Sequence, residues 1–193
     1  IAEKLELKKY GGYILSYNGG EITNWQTGEL MYENVLDADV LPYLYQCAKE
    51  NNFAIVTYKD KYVITEHPED EYVLKEAILN VMETKKVDNF LEAIDFPVAK
   101  CLIVGESTRL AELEKVMYEA LKDRMGVYRS EPYFLELVPK GIDKAQSLAV
   151  LLEKIGATRE EMIACGDGFN DLSMIKFAGL GVAMANAQEV VRQ

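Results

Sequence analysis

Apolar positions along the chain recur in two different rhythms. Over residues 38–51, Leu41, Leu44, Tyr45 and Ala48 fall at helical spacing, and two apolar runs, 53–58 and 62–65, follow across the polar turn Lys59-Asp60-Lys61. The same order returns later, with Leu110, Leu113, Met117 and Leu121 marking a helix over 108–122. Runs at 126–129 and 133–138 then flank Ser130-Glu131-Pro132. A helix over 71–82 and an apolar strand over 99–104 lie between these two units. The pattern predicts an α+β module with a mostly antiparallel sheet at residues 23–137.

From Pro139 onward the rhythm changes to helix and strand in alternation. Residues 144–155 carry Ala145, Leu148, Leu152 and Ile155 on one helical face, and Gly156 stands past the end as a stop. The wholly apolar run 162–165 reads as a parallel strand buried on both faces. A short helix over 172–177 and a strand over 180–184 complete a Rossmann-like half. Near the start, 1–7 reads as the end of a helix and 13–17 as a strand of that same parallel sheet, broken by Asn18-Gly19-Gly20. The chain has no initiator Met, and 186–193 reads as a helix start, so the expectation is an excerpt of a longer sequence. The predicted class is α/β, with 1–22 and 138–193 forming one partial core around the inserted module.

Composition narrows the function. With 49% hydrophobic residues over 193 positions the chain can bury a core. No apolar run approaches the roughly 20 residues that span a bilayer, and the three cysteines, Cys47, Cys101 and Cys165, show no paired spacing. A cytoplasmic, reducing location is expected, with no membrane partner. The formal net charge of −11 disfavours nucleic acid, whose binding rests on clustered Lys and Arg. An acidic protein that binds a small phosphate must neutralise it locally, with a metal ion and a few placed cations.

Residues 164–171, Ala-Cys-Gly-Asp-Gly-Phe-Asn-Asp, meet that requirement. An apolar strand ending in Gly-Asp puts Asp167 at the carboxyl edge of a parallel sheet, where open α/β folds bind ligands. Asn170 and Asp171 fall at the next helix start, where one can cap and the other face the same pocket. Hard oxygen ligands of this kind suit Mg²⁺. The competing reading is an ordinary loop in which Asn170 or Asp171 caps the helix and Asp167 is solvated. Lys144, in a first helical turn, opposes the macrodipole, which makes sense if a phosphate binds between it and free helix N–H groups. Otherwise Asp143 offsets its charge and it is plain surface. Asn18 and Asn186 end strands near the same edge but suit turns on their own account. His67, in a polar loop, reads as a surface histidine.

Taken together, GDGFND at 166–171, PKGIDKAQSL at 139–148, GVAMANA at 181–187 and YILSYNGGEI at 13–22 resemble haloacid dehalogenase-like phosphatases of the Cof-type branch. The resemblance implies a Rossmann-like core with an inserted α+β cap. Asp167 would bind Mg²⁺, Asp171 would orient the metal's water shell, Lys144 would hold the phosphate and the nucleophile's charge, and Asn170 would contact the phosphate. It implies a small phosphorylated metabolite as substrate and an aspartyl-phosphate intermediate, formed by an Asp in a DxDGT strand. No DxDGT occurs in these 193 residues. On this resemblance the excerpt alone is expected to be inactive. The rivals are a phosphomutase or sucrose-phosphate phosphatase of the same superfamily, or a non-catalytic relative that keeps the fold for binding.

Overall fold

The structure is a computed structural model that describes residues 2–193; Ile1, the first residue of the expected leading helix, lies outside them. The opening residues form turns and then a single helical turn, α1 (Leu7–Tyr10), later than the pattern predicted. Strands β1 (Tyr13–Ser16), β2 (Glu21–Asn24) and β3 (Leu30–Glu33) make a three-stranded antiparallel sheet in the order β1-β2-β3. This corrects the expectation that 13–17 joins the parallel sheet. The turn at Tyr17, Asn18 and Gly19, all at positive φ, reverses the chain and returns it onto β1 instead. Ile22, wholly buried, anchors the hairpin.

A second body follows. Helix α2 (Leu41–Glu50) leads into β4 (Ala54–Lys59) and β5 (Tyr62–Thr65), then α3 (Glu71–Asn80), β6 (Glu83–Lys86) and α4 (Phe90–Ala93). Next come β7 (Cys101–Val104), α5 (Ser107–Leu121), β8 (Met125–Glu131) and β9 (Phe134–Pro139). The six strands form one sheet in the order β6-β5-β4-β7-β9-β8, antiparallel except for the β5–β6 pair. Alternate strand residues Ile55, Ile103, Leu135 and Leu137 share the main core with Leu44, Leu110 and Met117 of α2 and α5. Helix α3 starts at Asp70, whose carboxylate accepts the N–H groups of Tyr72 and Val73. Its Glu76 is buried and accepts a hydrogen bond from Tyr58 at 2.5 Å. Strand β6, reading Glu-Thr-Lys-Lys, shows no apolar period and was not predicted. The same holds for the one-turn helix α4.

The last stretch supplies α6 (Lys144–Ile155), β10 (Ile163–Gly166), α7 (Leu172–Phe177), β11 (Leu180–Ala183) and the one-turn helix α8 (Glu189–Arg192). Strands β10 and β11 pair in parallel. Two expectations are corrected here. Strand β10 is not buried on both faces, since Ile163 is 66% exposed and Cys165 is exposed too; among the described strands only β11 pairs with it. On α6 the buried residues are Ser147 and Leu151, and Ile155 is exposed, because the helix packs a polar contact at Ser147 instead of a continuous apolar stripe.

The chain divides into two compact units, one of residues 1–34 and 142–193, the other of residues 35–141. The sequence pattern had set the crossings at 22/23 and 137/138. The hairpin β2–β3 moves to the first unit because its strands complete the ladder begun by β1.

Candidate active site

The first unit gathers the chemistry-bearing residues around the end of β10. The strand stops at Gly166, and Asp167 follows it on the exposed side, with a 3₁₀ turn (Phe169–Asp171) leading into α7. A side chain at Gly166 has no room, since a Cβ there would lie 2.5 Å from the Cβ of Asp171. That close approach folds the Asp171 carboxylate back over its own loop, where Oδ2 accepts the N–H groups of Asp167 and Gly168, both at 3.1 Å. Oδ1 of the same carboxylate takes the ammonium of Lys144 at 2.5 Å. Both partners are largely shielded, with 21% and 11% of their side chains exposed.

Lys144 comes from the first turn of α6, which Asp143 caps by accepting the N–H groups of Ala145 and Gln146 at 2.9 and 3.1 Å. The free N–H groups expected beside Lys144 are therefore already satisfied by Asp143, and its Nζ is what the helix start presents. Burial of Asp171 would raise its carboxyl, but the Lys144 ammonium and the N–H groups of Gly168 and Asp167 outweigh it and hold the group below its ordinary value. It is charged at neutral pH.

Two amides extend the cluster. Asn186 donates from Nδ2 to Oδ2 of Asp167 at 2.7 Å, and Asn170 donates from Nδ2 to Oδ1 of Asn18 at 3.0 Å. Asn18 reaches that position from a left-handed backbone, φ 56°, directly after Tyr17 at φ 52°. Such conformations are sparsely populated by residues other than glycine and persist only where surroundings enforce them. Ser147, buried on α6, ties the end of this turn to the helix, its hydroxyl donating to the Gly19 carbonyl at 2.6 Å.

The structure thus brings together Lys144, Asp167, Asn170 and Asp171, along with Asn18 and Asn186. His67 belongs to the other unit and is exposed. Sequence reasoning missed Ser147, and nothing in its local pattern signals a partner 128 residues earlier. Among the described residues no three His, Cys, Asp or Glu side chains converge on one point. Asp171 has both oxygens engaged, whereas Oδ1 of Asp167 accepts no hydrogen bond among the described residues. A single open carboxylate at a polar, exposed edge fits Mg²⁺, which takes one or two protein carboxylates and keeps several waters.

No described helix is long and apolar enough to cross a membrane. A family model for haloacid dehalogenase-like hydrolases matches residues 1–193. Among solved structures, a haloacid dehalogenase-like hydrolase from Bacteroides thetaiotaomicron superposes with a TM-score of 0.96 at 58% identity, over 99% of this chain and 72% of that one. TM0651 from Thermotoga maritima gives a TM-score of 0.83 at 30% identity, over 91% of this chain and 66% of its own. The HMP-PP phosphatase of Escherichia coli is 27% identical over 184 residues, 93% of this chain and 65% of its own length. The 5-amino-6-(5-phospho-D-ribitylamino)uracil phosphatase YcsE of Bacillus subtilis is 45% identical over 80 residues, 41% of this chain and 32% of its own. The chain therefore spans about two thirds to three quarters of the relatives it matches along most of its length. With its α/β fold, its loop of Asp167, Asn170 and Asp171 and its lysine on α6, the chain belongs to the haloacid dehalogenase-like hydrolases.

Proposed function

We propose that the protein carrying this chain is a Mg²⁺-dependent phosphatase acting on small phosphorylated metabolites. The observation that carries the reading is the Lys144–Asp171 pair, 2.5 Å apart, beside the open carboxylate of Asp167. A phosphomonoester brings two negative charges to a protein of net charge −11, so its binding needs placed positive charge. Lys144 supplies one such charge, held by Asp171 so that Nζ stays at the loop and does not swing into solvent. Asp167 is the residue that would hold Mg²⁺, with Asp171 keeping the loop's backbone N–H groups in place. Bound there, the ion would neutralise phosphate oxygens as a Lewis acid. Asn170, tied to Asn18, would donate to a phosphate oxygen from the same loop.

Phosphoryl transfer also needs a nucleophile in line with the leaving oxygen. Asp171 is committed to Lys144 and two backbone N–H groups, and these 193 residues contain no DxDGT. The reading therefore assigns this stretch the binding and charge-neutralising half of the site, and residues 1–193 by themselves are proposed to be inactive. The phosphatase names of the Escherichia coli and Bacillus subtilis relatives support a phosphorylated metabolite as substrate. Three free cysteines support a reducing, cytoplasmic setting.

The test uses the complete protein with p-nitrophenyl phosphate and with a panel of sugar phosphates and phosphorylated cofactor precursors. Turnover abolished by EDTA and restored by Mg²⁺, together with loss of calorimetric Mg²⁺ binding in Asp167→Asn, is the expected result. Wild-type Mg²⁺ affinity in Asp167→Asn would remove Asp167 from the metal site. A protein that binds phosphate esters without hydrolysing any of them would instead be a non-catalytic relative.

A further inference from the structure

In the second unit, strand β6 forms one edge of the six-stranded sheet, and no described strand pairs with its outer side. Its pairing with β5 fixes which backbone groups are free. Glu83 donates its N–H to the Lys61 carbonyl and Val87 to the Thr65 carbonyl, so Glu83, Lys85 and Val87 turn their backbone polar groups inward. Thr84 and Lys86 turn theirs outward. This parity restricts how a second strand can add. Around a two-fold axis the edges pair antiparallel, and the two residues that exchange hydrogen bonds must both be outward-facing.

Three two-fold registers meet that condition within the strand. Centring on Lys85 or on Lys86 sets two lysines directly opposite each other, which is unfavourable. Centring on Thr84 pairs Thr84 with Thr84 of the partner subunit and sets Glu83, whose carboxylate also takes Lys61 of its own chain at 2.7 Å, opposite Lys85 of the partner subunit, twice. Backbone geometry and charge thus select one self-complementary register.

The helix above the edge agrees with it. On α3, Tyr72 stacks on Tyr133 and Lys75 lies over the same ring, so that flank turns toward the β9 side of the sheet. Leu74, Ile78 and Val81, spaced four and three residues apart, form an apolar strip on the outer surface of α3 that runs to the turn entering β6; they are 42%, 76% and 93% exposed. Val81 is also left-handed, at φ 55°, in the position after a helix where glycine or asparagine is usual. A β-branched residue in that conformation is an outlier, and within the chain its exposed side chain gains nothing. Since α3 rests on β5 and β6, two copies joined edge to edge would carry their α3 helices side by side on one face of the joined sheet.

We propose that β6 and the Leu74–Ile78–Val81 flank of α3 form the interface of a homodimer, through antiparallel β6–β6 pairing centred on Thr84. The surface is small, at the low end of specific interfaces, and the dimer is expected to form at micromolar concentrations. Sedimentation equilibrium of the complete protein is the test. A monomer–dimer equilibrium is expected. Lys85→Glu, which opposes two carboxylates, should weaken it about tenfold or more, and the exchange Glu83→Lys/Lys85→Glu should restore it. Val81→Asn should weaken the dimer while raising the thermal stability of the isolated monomer, opposite signs that general misfolding cannot produce. A protein that stays monomeric throughout overturns the proposal, as does a dimer whose dissociation constant is unmoved by Lys85→Glu and Val81→Asn. In the first case the edge is left for a strand from some other protein.

Discussion

The ammonium of Lys144 lies 2.5 Å from Oδ1 of Asp171, with only 21% and 11% of the two side chains exposed to solvent. Removing one partner leaves the other charge shielded and alone. Lys144→Ala should therefore cost about 1.5–3 kcal/mol of folding stability, the range for a lost hydrogen bond to a charged group. Adding Asp171→Asn should recover part of that loss. Urea denaturation of the single and double variants checks this, and strictly additive losses would show that the two residues are not coupled.

The depressed carboxyl of Asp171 makes a pH prediction with a definite sign. A carboxyl whose folded pKa lies below its unfolded value, about 3.9, adds stability at higher pH and loses it as pH falls through the folded pKa. The stability gap between wild type and Asp171→Asn should thus be constant from pH 7 to about 5, then narrow below about pH 4. Denaturation curves recorded across that range decide the matter. A gap unchanged under strongly acidic conditions contradicts the assignment.

Gly19 has φ +107°, and a Cβ there would lie 2.5 Å from Oγ of Ser147. Gly19→Ala should destabilise by about 1–3 kcal/mol through backbone strain and this clash. Combining it with Ser147→Ala relieves the clash but not the strain, so only partial recovery is expected in thermal melts. Full recovery would mean that the positive φ at residue 19 imposes no strain on an alanine.

Thiol reactivity should separate the cysteines. Cys101 has no exposed surface, and burial pushes its thiol up to about 12 against the smaller opposing effects of Thr57 and Lys100. Cys165, on the uncovered side of β10, is exposed. At pH 8 a maleimide should label Cys165 in the folded 193-residue chain and reach Cys101 only after unfolding, which mass spectrometry of the labelled peptides reads directly. Native labelling of Cys101 at the rate of Cys165 would place it outside the core.

Much of this architecture was legible in the residues alone. The helices around Leu44 and Met117, the hairpins after them and the α6–β10 order follow from local periodicity and turn chemistry, which act over a few residues. The loop from Gly166 to Asp171 stood out because an apolar run ending in Gly-Asp sets a carboxylate at a strand end, with Asn170 and Asp171 at the next helix start. Tertiary structure decided the rest. Strand β1 pairs with β2 across a left-handed turn at Tyr17 and Asn18, and the Gly19 carbonyl at its end meets Ser147, far along the chain. Strand β6 exists because β5 offers it a backbone partner, although its own polar residues carry no strand rhythm. Asp171 turned to Lys144 and its own loop N–H groups, leaving Asp167 as the open carboxylate, a division of labour invisible in the motif. The physical reason is the same in each case: periodicity records which face of an element is buried, whereas pairing and charge partners are chosen between segments that only the fold brings within hydrogen-bond reach.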